Sequence, residues 1–132
     1  MKKTLLIVDD EKNTREGLRS VLEEHFDVSL AADAAGALAL IDADLPELVL
    51  TDLKLGADNG MDLMKEILKR ADPPICIIMT AYGSVDTAVE AMRQGAYDFL
   101  EKPFTAERLL LVVQRALETA RLKRENDVLR LQ

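Results

Sequence analysis

The segment LLIVDD, residues 5–10, drives four apolar residues straight into two adjacent acids. Neighbouring carboxylates repel, and each is costly to take out of water, so Asp9 and Asp10 need open solvent or a cation. Asp52 closes a second apolar run, LVLTD (48–52), Thr80 a third, ICIIMT (75–80), and Lys102 a fourth, YDFLEK (97–102). Singly these residues are ordinary: an Asp or Thr after a strand is most often a turn or cap residue, and a Lys before Pro usually sits at the surface. Together they suit one another. Three carboxylates can hold a hard divalent cation, and Mg2+ prefers few carboxylates, retained waters and a phosphate oxygen. Lysine supplies a point charge for phosphate, and a threonine hydroxyl can donate to a phosphoryl oxygen. The set fits phosphoryl transfer, in which positioning and charge neutralisation carry most of the catalysis.

Such a site forms only if the strands that end in these residues lie side by side. TLLIV (4–8), FDVSLAA (26–32), LVLTD, ICIIMT and YDFLEK are short and rich in β-branched, aromatic or leucine residues. Three are nearly continuous apolar runs, the pattern of strands buried on both faces of a parallel sheet. Segments with helical spacing alternate with them. Leu18, Val21 and Leu22 share a face in 13–25, and Ala37, Leu38 and Ile41 do so in 34–43. The third group is Leu63, Met64, Ile67 and Leu68 in 60–70, and the fourth Val85, Ala88, Val89 and Met92 in 84–94. Ser84 and Thr105 stand where N-caps belong, Gly95 follows a helix as a C-terminal cap should, and Asp72-Pro73-Pro74 cannot continue one. The last helix runs from Thr105 to the end of the chain without Gly or Pro, with Leu110, Val113 and Leu117 expected inward.

Strands alternating with helices in this way predict an α/β fold, a doubly wound five-stranded parallel sheet of flavodoxin-like order 2-1-3-4-5 with right-handed crossovers. Ligands of such open sheets bind beyond the carboxyl ends of the strands. That is where Asp9, Asp10, Asp52, Thr80 and Lys102 fall. The second strand ends near Asp33 with no evident chemistry.

Composition narrows the function classes. The chain has 132 residues, 48% hydrophobic and 31% charged, enough for one domain with a proper core. No apolar stretch approaches the roughly 20 residues of a membrane span, and the run after MKK is too short for a signal peptide. The lone cysteine, Cys76, excludes an internal disulfide, fits a reducing cytoplasm and reads as a small core residue. A net charge of −7 argues against nucleic acid as this domain's own partner. The single histidine, His25, lies in EEHFD and reads as a solvated surface residue, so a catalytic triad or His-rich metal site is not expected.

The motifs VDDE (8–11), LTDLK (50–54), MTAYGS (79–84) and FLEKPF (99–104) resemble, in order, those of a response-regulator receiver domain, over roughly residues 4–120. The resemblance implies that Asp52 accepts a phosphoryl group from a sensor histidine kinase. It implies a Mg2+ (or Mn2+) ion bound by Asp10 directly, by Asp9 largely through water, by Asp52, and by the backbone carbonyl of Lys54. Thr80 matches the switch hydroxyl, Lys102 the counter-charge, and Ala81 a small residue that leaves room for phosphate. Two positions depart from the pattern. Phe99 stands at the switch aromatic, where many members carry Tyr, and Gly56 stands where Pro is usual, which suggests a more mobile loop after Asp52. The Lys102–Pro103 bond is expected to be cis, so that Lys102 turns back over the pocket as the chain reverses.

TAYGSVDTAVEAMRQGAYDFLEKPF further resembles the receivers of NtrC-like transcriptional activators, which precede an AAA+ ATPase acting on the alternative sigma factor (sigma-54) and a helix-turn-helix domain. Residues 1–120 are thus expected to form the receiver and 121–132 a helical linker toward an output domain outside this sequence. Leu122, Asn126 and Leu129 begin a heptad seam, from which a homodimer through the last helix is expected, with the 84–94 helix and the fifth strand as further candidate contacts. The alternatives are a solvated linker, a stand-alone receiver acting by docking, a receiver fold with decayed chemistry, and a haloacid-dehalogenase-type phosphohydrolase. The last requires its nucleophile in a DxDx[TV] motif after the first strand, which Asp9-Asp10-Glu11-Lys12 does not supply. A phospho-accepting signalling domain rather than a turnover enzyme is the reading that uses all five residues.

Overall fold

The computed structural model describes residues 2–81 and 83–131, and for residue 124 and residues 126–131 it describes the backbone alone. The chain runs from Thr4–Val8 (β1) through Lys12–Leu22 (α1), Asp27–Ala31 (β2) and Ala34–Asp44 (α2) to Leu48–Asp52 (β3). Two short strands, Lys54–Leu55 (β4) and Asp58–Asn59 (β5), then precede Gly60–Ile67 (α3). Ile75–Thr80 (β6), Val85–Arg93 (α4), Asp98–Glu101 (β7) and Ala106–Leu131 (α5) complete the order. The main sheet is five-stranded and wholly parallel, in the order β2-β1-β3-β6-β7. With the separate β4–β5 ladder set aside, this is the expected 2-1-3-4-5.

The strand period of two divides the apolar residues between two cores. Leu5, Ile7, Leu48, Leu50, Ile77 and Met79 face α1 and α5, where they meet Leu18, Leu22, Leu109 and Val113. Leu6, Val8, Val49, Cys76 and Ile78 face the other way and join Ala37, Ile41, Met64, Ile67 and Ala91. All five residues of β3 are buried. Register then fixes the business edge: Val8 pairs with Thr51, Asp52 with Met79, and Thr80 with Glu101. The residues that close β1, β3, β6 and β7 therefore emerge together.

The caps behave as expected. Ser84 accepts from the Thr87 amide, Thr105 accepts from the Arg108 amide, and Gly95 takes φ +113°. The Lys102–Pro103 bond is cis. Cys76 is buried, and desolvation pushes its thiol up to about 12, far from reactive. His25 is exposed.

The structure adds directions that the spacing left open. In α4 the shared apolar face largely meets solvent: Val85, Val89 and Met92 are 80%, 48% and 47% exposed, and Ala91 is the buried residue. The helix turns a small residue to the sheet, and its larger apolar side chains point out. In α5 the buried stripe is Leu109, Val112, Val113, Ala116 and Leu117, with Leu110 only half-buried. The segment after Asp52 forms a short hairpin: Lys54 aligns with Asn59 and Leu55 with Asp58. Gly56, at φ +64°, occupies the first central position of the two-residue turn, where glycine is favoured. Proline, with φ fixed near −65°, could not.

Candidate functional site

β1 delivers Asp9 with its main chain still engaged, the Asp9 amide donating to the Ala31 carbonyl at 3.1 Å. Its side chain is only 1% exposed. Oδ1 accepts from the Glu11 amide at 2.9 Å, and Oδ2 accepts from Lys102 Nζ at 2.9 Å. β3 delivers Asp52, whose Oδ1 accepts from the Lys54 amide at 3.1 Å and whose Oδ2 accepts from Lys102 Nζ at 2.6 Å. One ammonium thus bridges two carboxylates from the two central strands. Charge-assisted bonds of this kind are among the stronger ones.

The protonation states follow from this. Burial is the largest influence on Asp9 and holds its carboxyl above the ordinary aspartate range, although Lys102 and the Glu11 amide pull the other way. Burial likewise works against the charge on Lys102, but its bonds to Asp52 and Asp9 outweigh it and leave the ammonium held more firmly than usual. The pair and its counter-ion form one electrostatic unit.

Thr80 is fully buried at the end of β6, and Ala81 follows it exposed. Phe99 is half-buried on β7 and lies against the loop between β6 and α4: a methyl group on Gly83 would stand 2.8 Å from Phe99 Cζ and 3.3 Å from Thr80 Cγ2. A side chain at Gly83 would require the Phe99 ring to shift. Lys54 is exposed within β4.

Asp10 departs from the expected cluster. It is exposed, with no hydrogen bond or ion pair to another described residue. A Cβ on Gly56 would come within 3.8 Å of its Oδ2, so the hairpin turn passes beside it. Among the described residues no three acidic side chains converge as a ready metal cage. Lys102 stands between Asp9 and Asp52, and Asp10 waits at the rim. The donors are nonetheless all oxygen, the set a hard cation takes, and the unpartnered Asp10 beside a buried carboxylate of raised affinity for protons suits a cation well. Asp9, Asp10, Asp52 and the Lys54 carbonyl are the residues that could hold it.

Several supports were not singled out from sequence. Arg15 Nη1 donates to the Asp9 main-chain carbonyl at 2.7 Å. Asp33, which had no evident role, caps α2 by accepting from the Gly36 amide at 2.7 Å. Asp58 accepts from the Ala34 amide at 3.0 Å and ties the hairpin to the start of α2. Asn59 caps α3 by accepting from the Met61 and Asp62 amides. An Asn before a helical run is a recognised start signal and could have found the last of these.

Comparison with known proteins finds relatives in sequence and in fold. The family model described as response regulator receiver domain matches residues 5–114. The nitrogen assimilation regulatory protein NtrX of Azorhizobium caulinodans is 44% identical over 125 residues, which cover 92% of this chain and 27% of that protein. The C4-dicarboxylate transport transcriptional regulatory protein DctD of Pseudomonas aeruginosa is 41% identical, over 96% of this chain and 28% of its own. Among solved structures, NtrX from Brucella abortus in complex with ATP superposes with a TM-score of 0.91 at 42% identity, covering 98% of this chain and 30% of that one. The beryllofluoride-activated NtrC4 receiver domain dimer gives 0.83 at 34% identity, covering 88% of this chain and 97% of that one. The chain spans less than a third of the length of the curated relatives it matches.

Proposed function

The chain belongs to the response regulator receiver domain family, and from that premise we propose that it accepts a phosphoryl group on Asp52 and passes the signal to a transcriptional output domain. The observation that carries this reading is the single Lys102 ammonium held 2.9 Å from Asp9 and 2.6 Å from Asp52, where the central strands end.

Asp52 is the nucleophile. Its Oδ2 forms the new bond to phosphorus while Oδ1 stays on the Lys54 amide, and the bond to the donor breaks with its electron pair leaving on the donor. Lys102, already on Oδ2, follows the charge to a phosphoryl oxygen. The Thr80 hydroxyl donates to another, drawing the start of the β6–α4 loop inward, and Ala81 leaves room for the group. Phe99, with no hydroxyl of its own, responds by packing alone. Mg2+ or Mn2+ bound at Asp9, Asp10, Asp52 and the Lys54 carbonyl would neutralise charge on the phosphoryl oxygens.

A sensor histidine kinase is the proposed donor. The relatives' names, and the stretch from Thr80 to Phe104, support an NtrC-like output: an AAA+ ATPase acting with sigma-54, followed by a DNA-binding domain. Residues 1–120 would be the receiver and 121–132 the helical link. No described helix is long and apolar enough to cross a membrane, which is compatible with a cytoplasmic setting. We also propose a homodimer through α5. The helix runs unbroken from Ala106 to Leu131, and Leu122 is 52% exposed. The side chains of Asn126 and Leu129, the rest of the expected seam, lie outside the described residues.

The test is labelling. Mg2+ and acetyl phosphate should give one acid-stable, base-labile adduct, absent from Asp52→Asn. Undiminished labelling of that variant would refute the assignment.

A further inference from the structure

Asp9 and Asp10 are neighbours in sequence but are held in opposite ways. The polar atoms of Asp9 are tied down: its amide to Ala31, its carboxylate to Glu11 and Lys102, and its carbonyl to Arg15. The exposed Asp10 has no hydrogen bond or ion pair to another described residue. Its place is therefore set by the chain on either side of it.

The carbonyl that Arg15 grips belongs to the peptide group joining Asp9 to Asp10. That group is planar, so fixing its oxygen fixes the plane and the α-carbon of Asp10 within it. Arg15 lies in the first turn of α1 and is half-buried; its own amide donates to the Glu11 carbonyl at 3.1 Å. The side chain thus reaches back across the turn it helps to build, to the end of the strand that precedes it. Resting on the Mg2+ reading above, we infer that Arg15 is a positioning residue for the metal: it locks the Asp9–Asp10 peptide and so aims the Asp10 carboxylate.

Charge alone makes the opposite forecast. A guanidinium near a cation site repels the cation, so removing it would tighten binding if Arg15 acted only through its field. If Arg15 acts by holding the peptide plane, its removal loosens Asp10 and weakens binding. The sign of the effect separates the two.

The experiment is a Mg2+ titration of the full 132-residue chain without phosphodonor, followed by backbone amide chemical shifts. Wild type, Arg15→Ala, Arg15→Lys and Asp10→Ala are compared, each with a thermal melt. Arg15→Ala should raise the Mg2+ Kd about tenfold or more, the usual scale for losing an outer support of a metal ligand. Arg15→Lys keeps the charge with a single compact donor head and should fall between it and wild type; it also carries the comparison if Arg15→Ala fails to fold. A Kd that is unchanged or lower in Arg15→Ala overturns the role of Arg15 while leaving the metal reading intact. A lowered melting point with an unchanged Kd overturns it too, because Arg15 then serves helix packing alone. Wild type binding Mg2+ no better than Asp10→Ala would remove the metal reading, and this role with it.

Discussion

Gly60 opens α3 directly against the main chain of Asp52: a Cβ on Gly60 would overlap the Asp52 carbonyl oxygen and stand 3.0 Å from the Leu53 α-carbon. The Gly60 amide also donates to the Leu53 carbonyl at 2.7 Å. The obstacle is backbone, which cannot swing aside as a side chain would. Gly60→Ala should therefore cost about 1–3 kcal/mol, the usual range for forced overpacking, and should slow labelling of Asp52. Urea unfolding and the acetyl phosphate rate measure the two effects; an unperturbed pair would show that α3 can shift without consequence.

Lys102 is the shared counter-charge of Asp9 and Asp52, and a cation at the site would compete with it for the same oxygens. Lys102→Ala should lower stability in chelator, since an acid as buried as Asp9 loses its partner. It should also enlarge the rise in melting temperature produced by Mg2+, because tighter binding to the native state stabilises more, while phosphoryl labelling falls. Equal Mg2+-induced shifts in variant and parent would argue against competition.

Asp9 makes a pH signature. Its folded carboxyl binds a proton more tightly than an ordinary aspartate, chiefly because it is buried. Its ionisation thus costs stability above the raised value, and the cost disappears below the unfolded value. Asp9→Asn should be more stable than the parent at neutral pH, with an advantage that shrinks as pH falls through the raised value into the normal aspartate range. Denaturant melts at several pH values read this directly, and a parent more stable at neutral pH would contradict it.

Asn59 caps α3 through two amides, Met61 at 2.7 Å and Asp62 at 3.3 Å. Asn59→Ala should cost about 1 kcal/mol. Asn59→Asp keeps the acceptor and should recover most of it; a variant pair of equal stability would mean that the cap is dispensable.

The grouping of Asp9, Asp52 and Lys102 was legible because these residues lie at strand ends, and the strands announce themselves. LVLTD opens on three apolar residues because β3 is buried on both faces, and Asp9 and Thr80 likewise close apolar runs. The direction of the α4 face was not legible, because periodicity reveals an apolar face without saying which way it points. Val85, Val89 and Met92 made a better stripe than the Ala91 that is buried. Strands of two residues, like β4 and β5, are too short to show any period. Asp10 was expected among its fellow acids, but sequence could not show that Lys102 stands between the other two. Arg15 was invisible for another reason: its partner is a main-chain oxygen, which every residue has.

The complete burial of β3 also bears on how the molecule breathes. Its amides are laddered to β1 on one side and β6 on the other, so exchanging them with solvent deuterium requires the domain to come apart as a whole. α4, with exposed Val85, Val89 and Met92, has far less holding it down and can open by itself. Deuterium uptake should thus be slowest in the strand that bears Asp52 and fast a short distance away in α4. A phosphoryl group on Asp52 would be moored to the slowest part of the molecule, within reach of one of its fastest.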